Sequence, residues 1–190
     1  MRTRKFSVLF WLFAAPTSLL ADVISVQPVT LDVTTGQSFT LAVQISGATD
    51  LYGYQFDLGF NPTFLAATSV TEGPFLATGG PTIFLPGAID NVGGSITANA
   101  DILNGAVSGV NGSGTLLDVS FQALAAGSST VQLFNAIALN SFGQGIDLTT
   151  AGSTVNAAPV PEPGSVLLLG MVIIGLFALL RPRSSRSVSS

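Results

Sequence analysis

The sequence predicts an all-β domain between two targeting segments, and three observations support this fold class. Apolar and polar residues alternate in four segments, 38–46, 51–60, 96–102 and 117–123, and this period of two is typical of half-buried antiparallel strands. Turn-forming sequences rich in Gly, Asn and Pro separate these segments at short intervals. No segment before the C-terminal tail has a sustained helical period. The pattern therefore predicts a two-sheet sandwich or a jelly roll.

The first segment of the chain, residues 1–21, has the pattern of a secretory signal peptide. A basic start at positions 2–5 precedes an apolar core at 6–15, and small residues then lead to a cleavage site after Ala21. The apolar core is short for a membrane span, which disfavours the alternative of an uncleaved anchor. Leu19 fits the −3 position poorly, so the cut is expected within a few residues of Ala21.

The predicted domain, residues 22–157, is acidic throughout. All six basic residues of the chain lie in the terminal segments, and nine of the ten acidic residues lie in the domain, which also lacks His. The domain therefore has a formal charge of −9 and cannot form a salt bridge between side chains. Nucleic acid is not expected as a partner, because neutralising phosphates requires Lys or Arg. Since the chain has no Cys, its stability depends on its core alone.

Weaker strand patterns and turns complete the domain. Further strands are predicted at 23–27, 31–33, 64–70, 82–85, 130–134, 136–139 and 154–156. Turns are predicted at 35–37, 46–48, 61–62, 91–94, 111–114 and 126–128. In the second strong strand, Tyr52 and Tyr54 share the parity of Phe56 and Phe60, which predicts that both tyrosines are buried.

One segment, residues 72–94, does not follow the strand pattern. It is rich in Pro and Gly and carries the apolar residues Phe75, Leu76, Ile83, Phe84 and Leu85. A loop of this kind can shape a binding surface. The favoured interpretation is that these side chains plug one end of the sandwich, since a loop rarely leaves so many large apolar groups in water.

The C-terminal tail has three parts. Residues 158–164 form a Pro-rich, extended linker that acts as a stiff spacer. Residues 165–180 are uncharged and mostly apolar, and they predict a single membrane-spanning helix of about 24 Å, close to the shortest that can cross a bilayer. Residues 181–190 carry Arg181, Arg183 and Arg186, which the positive-inside rule places in the cytoplasm as a stop-transfer signal.

Several kinds of chemistry are excluded by composition. Without His and Cys the chain cannot form a Ser–His–Asp triad, a thiol nucleophile or a zinc site of the usual ligands, and no enzyme activity, cofactor or metal site is predicted. A glycosidase carboxylate pair could only use acids such as Asp57 and Asp101, which are placed on polar strand faces. Structural calcium is a weaker possibility, with Asp50, Asp90 and Asp147 as turn candidates. Every acid is expected to be a solvated surface or turn residue.

The tail resembles the PEP-CTERM sorting signal of Gram-negative bacteria that make exopolysaccharide. The matching parts are the motif Val160, Pro161, Glu162 and Pro163, the apolar helix and the terminal arginines, in the same order. The resemblance implies recognition and processing by an exosortase after transient anchoring in the inner membrane. Release to the cell surface or into the extracellular matrix would follow. The alternative is a permanent anchor whose Pro-Glu-Pro is only a spacer.

The domain resembles the cohesin domain, a β-sandwich with jelly-roll topology. The similarity rests on residues 33–41, with a glycine turn before a strand, on the aromatic strand and Pro turn at 51–62, on Leu65 and on the late core strand at 114–121. Cohesins proper bind dockerin modules. Because these motifs are structural, they imply the fold more than a partner, and Asn61 stands where the family often has Asp.

Two functions follow as expectations. The first is a non-catalytic surface or matrix protein that presents a cohesin-like module for protein contact and is linked to exopolysaccharide or biofilm. The second is a carbohydrate-binding module for a surface polysaccharide. The predicted burial of Tyr52 and Tyr54 counts against the second, because such modules use exposed aromatic platforms, and Trp11 is removed with the signal peptide.

Overall fold

The computed structural model describes residues 21–160, together with residue 164, residues 170–174 and residue 176. Within residues 21–160 the chain forms twelve strands and one short helix. These are β1 (Asp22–Gln27), β2 (Thr30–Thr34), β3 (Ser38–Gly59), β4 (Leu65–Glu72), α1 (Pro74–Ala77), β5 (Thr82–Leu85), β6 (Ala88–Asp90), β7 (Ser95–Leu103), β8 (Val110–Ala123), β9 (Gly127–Asn140), β10 (Gly145–Ile146), β11 (Leu148–Ala151) and β12 (Ser153–Ala158). The all-β prediction is confirmed.

Strand β3 connects the two layers of the sandwich. Its first part pairs antiparallel with β1 and β8, and its second part pairs antiparallel with β7 and β9. One layer has the order β11-β1-β3-β8-β4, and the other has the order β5-β7-β3-β9-β12-β2. The pairs β1–β11 and β2–β12 are parallel. A single long strand thus belongs to both layers.

The predicted break at 46–48 is not a turn between two strands. The structure has one strand of 22 residues there, and the pairing of β3 with β8 shifts register between Ile45 and Leu51. Gly47 and Asp50 have positive φ values of 82° and 58°, so the strand bends without leaving the hydrogen-bonded network. The predicted turn at 111–114 likewise lies inside β8.

A similar irregularity joins two other predicted segments. The strands predicted at 130–134 and 136–139 are one strand, β9, in which Asn135 has a φ of 53°. The short strands β6, β10 and β11 were not predicted. They have two to four residues each, which is too few for a period of two to be recognised.

The core lies between the two layers. Phe121 of β8 is fully buried, and its ring stacks on that of Phe39 at a centroid distance of 5.8 Å and meets the edge of Phe60 at 5.3 Å. From the opposite layer, Phe56 and Leu58 of β3 are also fully buried. Aromatic packing across the sandwich therefore supplies the cohesion that disulfides and ion pairs cannot provide in this domain.

Candidate functional site

At Ala98, strand β7 changes which of its two faces points into the core. The φ of Ala98 is 59°, and its N–H donates to Asp57 Oδ1 at 2.7 Å across a register shift between β3 and β7. Before the bulge Ile96 points inward, whereas after it Asp101 is buried and Ile102 is 40% exposed. The prediction that Asp101 lies on the polar face is therefore wrong. A one-residue bulge exchanges every later side chain between the two faces.

The bulge also buries Asn99, which holds the neighbouring connection in place. Its Nδ2 donates to the carbonyls of Phe56 at 3.2 Å and Ile96 at 3.1 Å, and its Oδ1 accepts from Gly87 N–H at 3.1 Å. A Cβ on Gly87 would lie 2.4 Å from that oxygen, so only glycine fits there. The β5–β6 connection is thereby fixed against β7.

The outer face of this layer carries a shallow apolar groove with a volume of about 330 Å³. Four large apolar side chains on its walls are strongly exposed, namely Ile83 at 51%, Leu85 at 58%, Ile102 at 40% and Ile137 at 53%. The remaining lining residues come from the same four strands, β5, β7, β3 and β9, and are Gly53, Tyr54, Gln55, Ala100, Asp101 and Leu139. Hydrogen-bonded strands therefore position every wall of the groove.

The floor of the groove is low because Gly53 has no side chain. A Cβ there would lie 3.0 Å from Ile102 Cγ1 and 3.1 Å from the Asp101 carbonyl oxygen. Gln55, the next outward residue on β3, is exposed and is the polar side chain beside the apolar walls. The result is a concave apolar surface with one polar side chain in its lining, the form that binding sites commonly take.

The segment 72–94 was predicted either to shape a binding surface or to plug one end of the sandwich, and different parts of it do each. Phe75 and Leu76 lie in α1 and are buried, so this part does plug the sandwich. Ile83 and Leu85 lie in β5 and are more than half exposed, so the plug interpretation is wrong for them. The sequence predicts the strand at 82–85 correctly, but four residues are too few for the pattern to show that Ile83 and Leu85 face outward.

Two acidic residues are buried, contrary to the expectation that all acids are solvated or in turns. Asp101 is 2% exposed, and its Oδ1 accepts from Ile102 N–H at 2.9 Å while its Oδ2 has no hydrogen-bond partner. Burial first, and then the nearby charge of Glu72, raises the pKa of Asp101 to about 7. Burial also raises the pKa of Asp22, whose Oδ2 has no partner either.

The glycosidase pair considered from the sequence is not formed. Asp57 is half-buried on the outer face, and its carboxylate accepts hydrogen bonds from Ala98 N–H and from Asn135 Nδ2, each at 2.7 Å. Asp101 faces the interior of the sandwich. The two carboxyl groups therefore point to opposite faces of the layer and cannot flank one substrate bond.

The calcium candidates are separate from one another. Asp50 accepts from Gly109 N–H and from the Ser141 hydroxyl, each at 2.8 Å, and Asp90 caps its own turn through backbone N–H groups. These hydrogen bonds lower the pKa of both carboxyls. Asp147 is exposed. Within the part of the chain that the structure describes, no three acidic side chains are grouped for a metal ion.

The predicted sorting and membrane segments lie mostly beyond the described residues. Val160 is 60% exposed just after β12, whereas Pro161, Glu162 and Pro163 lie outside the described residues, as do Arg181, Arg183 and Arg186 and the signal peptide up to residue 20. Residues 170–174 and 176 are helical. Among the residues described, no helix has the length and hydropathy required to cross a membrane.

Two family models match the sequence. The model of the cohesin domain matches residues 24–158, and that of the PEP-CTERM protein-sorting motif matches residues 159–183. Together they cover the domain and the linker with the apolar segment that follows it. No curated protein matches the chain.

Solved structures share the fold at low sequence identity. A non-cellulosomal cohesin from the archaeon Archaeoglobus fulgidus is 15% identical, with a TM-score of 0.59 over 78% of this chain and 98% of that one. The sixth cohesin of Acetivibrio cellulolyticus scaffoldin B, in complex with a dockerin, is 14% identical, with a TM-score of 0.59 over 73% of this chain and 100% of that one. A Clostridium thermocellum cohesin, also in complex with a dockerin, is 8% identical, with a TM-score of 0.61 over the same shares. At such identities the similarity shows the fold alone.

Proposed function

Because the chain belongs to the cohesin domain family, we propose that it is a non-catalytic module, exported to the cell surface, that binds a protein partner in the apolar groove of strands β5, β7, β3 and β9. The observation that carries the proposal is the exposure of Ile83, Leu85, Ile102 and Ile137 around one concavity. Exposed apolar side chains that are grouped on one face of a protein are typical of an interaction site.

Covering this groove supplies the free energy of association. Removing one large aliphatic side chain from water is worth about 1.5–3 kcal/mol when burial is complete, and these four are already partly covered. The free energy gained by this burial must exceed the free-energy cost of the translational and rotational freedom that is lost on binding. A partner that inserts a complementary apolar ridge between β5 and β9 would bury all four side chains at once and form the centre of the interface.

The negative charge of the domain indicates which charged residues a partner should carry around its apolar contact surface. Residues 22–158 carry nine acids and no basic side chain, so a partner surface with Lys or Arg around its apolar ridge is favoured electrostatically. An acidic partner would be repelled. Two of the structurally similar cohesins were solved with a dockerin bound, which supports a protein as the class of partner here.

The groove lies far from the point where the chain leaves the domain. Strand β12 ends at Ala158, and the preceding Ala157 pairs with Gly127 at the start of β9. Leu139, on the groove wall, is near the other end of β9. At about 3.3 Å per residue the two points are up to about 40 Å apart along the strand. A tether at the C-terminus would therefore leave the groove open.

The match to the sorting motif supports the proposed route to the surface. We expect an exosortase to recognise the Val160–Pro163 motif, to process the tail after transient anchoring through residues 165–180, and to release the domain to the surface or matrix of a Gram-negative bacterium that makes exopolysaccharide. Mass spectrometry of the mature protein tests this, with an Asp- or Glu-directed protease because Lys and Arg are missing between Lys5 and Arg181. Recovery of an intact 181–190 tail, with or without exosortase, would reject the processing step.

The docking proposal is tested by site-specific photocrosslinking in the native cell. A photoreactive residue at Ile83 should form one saturable crosslink to a polypeptide, and excess unlabelled protein should abolish it. The matched control is Gln44, which is exposed on β3 in the opposite layer and should give no such product. Equal products from both positions would reject the groove as the binding site.

The alternative function, binding of a polysaccharide, is tested by a separate measurement on a glycan array. Tyr54 is buried and Tyr52 is half-buried, so the two tyrosines do not form the exposed platform that sugar stacking uses. We expect the full-length protein to retain no ligand on a glycan array that includes the exopolysaccharide of the host. Saturable retention that survives Ile83→Gln would favour carbohydrate over protein as the ligand.

A further inference from the structure

We propose that the partner enters the apolar groove as an extended segment that pairs with the free edge of β5, so that the layer gains one strand. The inference rests on the proposed function, because it names the form of the partner at the same groove. Strand β5 (Thr82–Leu85) ends the layer on this side, and within residues 21–160 it pairs with β7 alone. It also carries Ile83 and Leu85, two walls of the groove.

The backbone groups of Thr82 and Phe84 point away from β7. Asn104 N–H donates to Pro81 O at 2.7 Å where the antiparallel ladder of β5 and β7 begins. Because hydrogen-bonded and non-hydrogen-bonded pairs alternate along such a ladder, every second residue after Pro81 turns its backbone groups to β7, whereas Thr82 and Phe84 direct theirs outward. In the described part of the chain these outward groups have no hydrogen-bond partner.

Two other outer strands differ, because side chains occupy their free backbone groups. On β4, the amide of Asn91 accepts from Ala67 N–H at 2.8 Å and donates to Ala67 O at 2.9 Å, as a residue of an added strand would. On β2, Thr34 N–H donates to Gln37 Oε1 at 3.0 Å. Covering an edge is one way in which proteins avoid pairing with another chain. Of these three edges, that of β5 is therefore the one open to a further strand.

The charges along this edge indicate the chemistry of the segment that it accepts. Residues 81–89 carry no charge, and exposed acids lie at both limits of this stretch. Glu72 accepts from the Thr82 hydroxyl at 2.5 Å at one limit, and Asp90 ends β6 at the other. Since the domain has no basic side chain, a complementary segment is apolar at its centre and carries Lys or Arg on both flanks.

The geometry of β5 also limits the length of the added ladder. Pro81 and Pro86 flank the strand, so two outward N–H groups and two outward carbonyls provide at most four hydrogen bonds to the partner. Alternate side chains of the added strand then lie on the groove face, beside Ile83 and Leu85. Backbone pairing thus supplies affinity, and the apolar groove selects the alternate side chains.

Paired photocrosslinking of the full-length chain in the native cell tests the form of the partner. A photoreactive residue is placed at Ile83 in one sample and at Leu85 in another, and mass spectrometry locates the partner residue that each one joins. An added strand predicts partner residues two apart in sequence, with Lys or Arg within a few residues on each side. A separation of three or four residues would indicate a helix and overturn the proposal, as would a crosslink to a second copy of this chain.

A proline substitution tests the outward backbone group directly. Thr82→Pro removes the N–H that points away from β7, so it should leave the ladder with β7 in place. Thr82→Ala is the reference, because it loses the same hydroxyl and keeps the N–H. The crosslink from Ile83 should be weaker in Thr82→Pro than in Thr82→Ala by at least about fivefold. Equal yields would show that the partner does not use the edge, and the added strand would be rejected.

The two tests separate this inference from the proposed function. Crosslinks at helical spacing, or equal yields from the two Thr82 variants, would leave the groove as the docking site and remove only the added strand. If the wild-type chain gives no product at Ile83, both proposals are rejected. If Thr82→Pro does not fold, as its Tm against that of Thr82→Ala will show, the spacing of the two crosslinks decides the question.

Discussion

Ile102 lies directly across Gly53, the residue with which it pairs between β7 and β3. A Cβ on Gly53 would lie 3.0 Å from Ile102 Cγ1 and 3.1 Å from the Asp101 carbonyl oxygen. Gly53→Ala should therefore displace the Ile102 wall and destabilise the protein by about 1–2 kcal/mol, as overpacking does. Chemical denaturation measures the change.

Gly145→Ala is the matched control for this substitution. Gly145 has no atom within 4 Å of the position that its Cβ would take and has no positive φ. Its replacement should change the free energy of unfolding by less than about 0.5 kcal/mol. Equal effects of the two substitutions would show that the floor of the groove is not tightly packed.

The aromatic contact across the core sets a second prediction. Phe121 is fully buried against Phe39 and Phe60, so Phe121→Ala should leave a cavity and cost about 3–5 kcal/mol of unfolding free energy. Phe142 is 83% exposed in the β9–β10 loop, and Phe142→Ala should be nearly neutral. Urea unfolding of both variants provides the comparison, and a cost below 1 kcal/mol for Phe121→Ala would disagree with this core.

The bulge in β7 depends on Asp57. Its carboxylate accepts hydrogen bonds from Ala98 N–H and Asn135 Nδ2, each at 2.7 Å, and it thereby joins irregularities in β7 and β9. Asp57→Ala leaves these donors unpaired and should cost about 1–3 kcal/mol. Asp147→Ala, at an exposed acid, should have little effect. Amide exchange at Ala98 should accelerate only in the Asp57 variant; unchanged exchange would contradict the assigned role.

Asp50 should produce acid sensitivity, because its pKa is shifted in the opposite direction to that of Asp101. Hydrogen bonds from Ser141 and Gly109 lower the pKa of Asp50 below its ordinary 3.8, so its stabilising contribution is present above that value and is lost as pH falls through the lowered pKa. Asp50→Asn should reduce the loss of Tm on acidification below pH 4, while Asp147→Asn should not. If Asp50→Asn loses as much Tm below pH 4 as the wild type does, this assignment is refuted.

The sequence pattern was sufficient for the fold class because most strands bury one face. Phe56, Leu58 and Phe121 were placed correctly by the period of two. The pattern was not sufficient at Ala98, Asn135 and Asp50, three residues other than glycine with positive φ. Asn and Asp adopt positive φ more often than other residues but only in a minority of cases, and Ala98 gives no local signal of it.

The candidate groove depends on those irregularities and could not be derived from the sequence. The alternation over 96–102 predicts that Ile102 lies in the core and Asp101 on the surface, and the bulge at Ala98 exchanges the two. The strand at 82–85 is predicted, but the sequence does not show that it lies at the edge of the layer with Ile83 and Leu85 facing outward. The lack of basic residues, by contrast, was visible from the start and accounts for the unusual environment of Asp101.

Calorimetric titration of the purified partner tests the central claim most directly. Once crosslinking has identified that partner, the full-length chain should bind it with a Kd that increases at least tenfold in Ile102→Gln, since a wall of the groove is lost. Phe142→Gln, at an exposed aromatic residue outside the groove, should bind as the wild type does. A Kd unchanged by Ile102→Gln and Ile83→Gln would contradict the account.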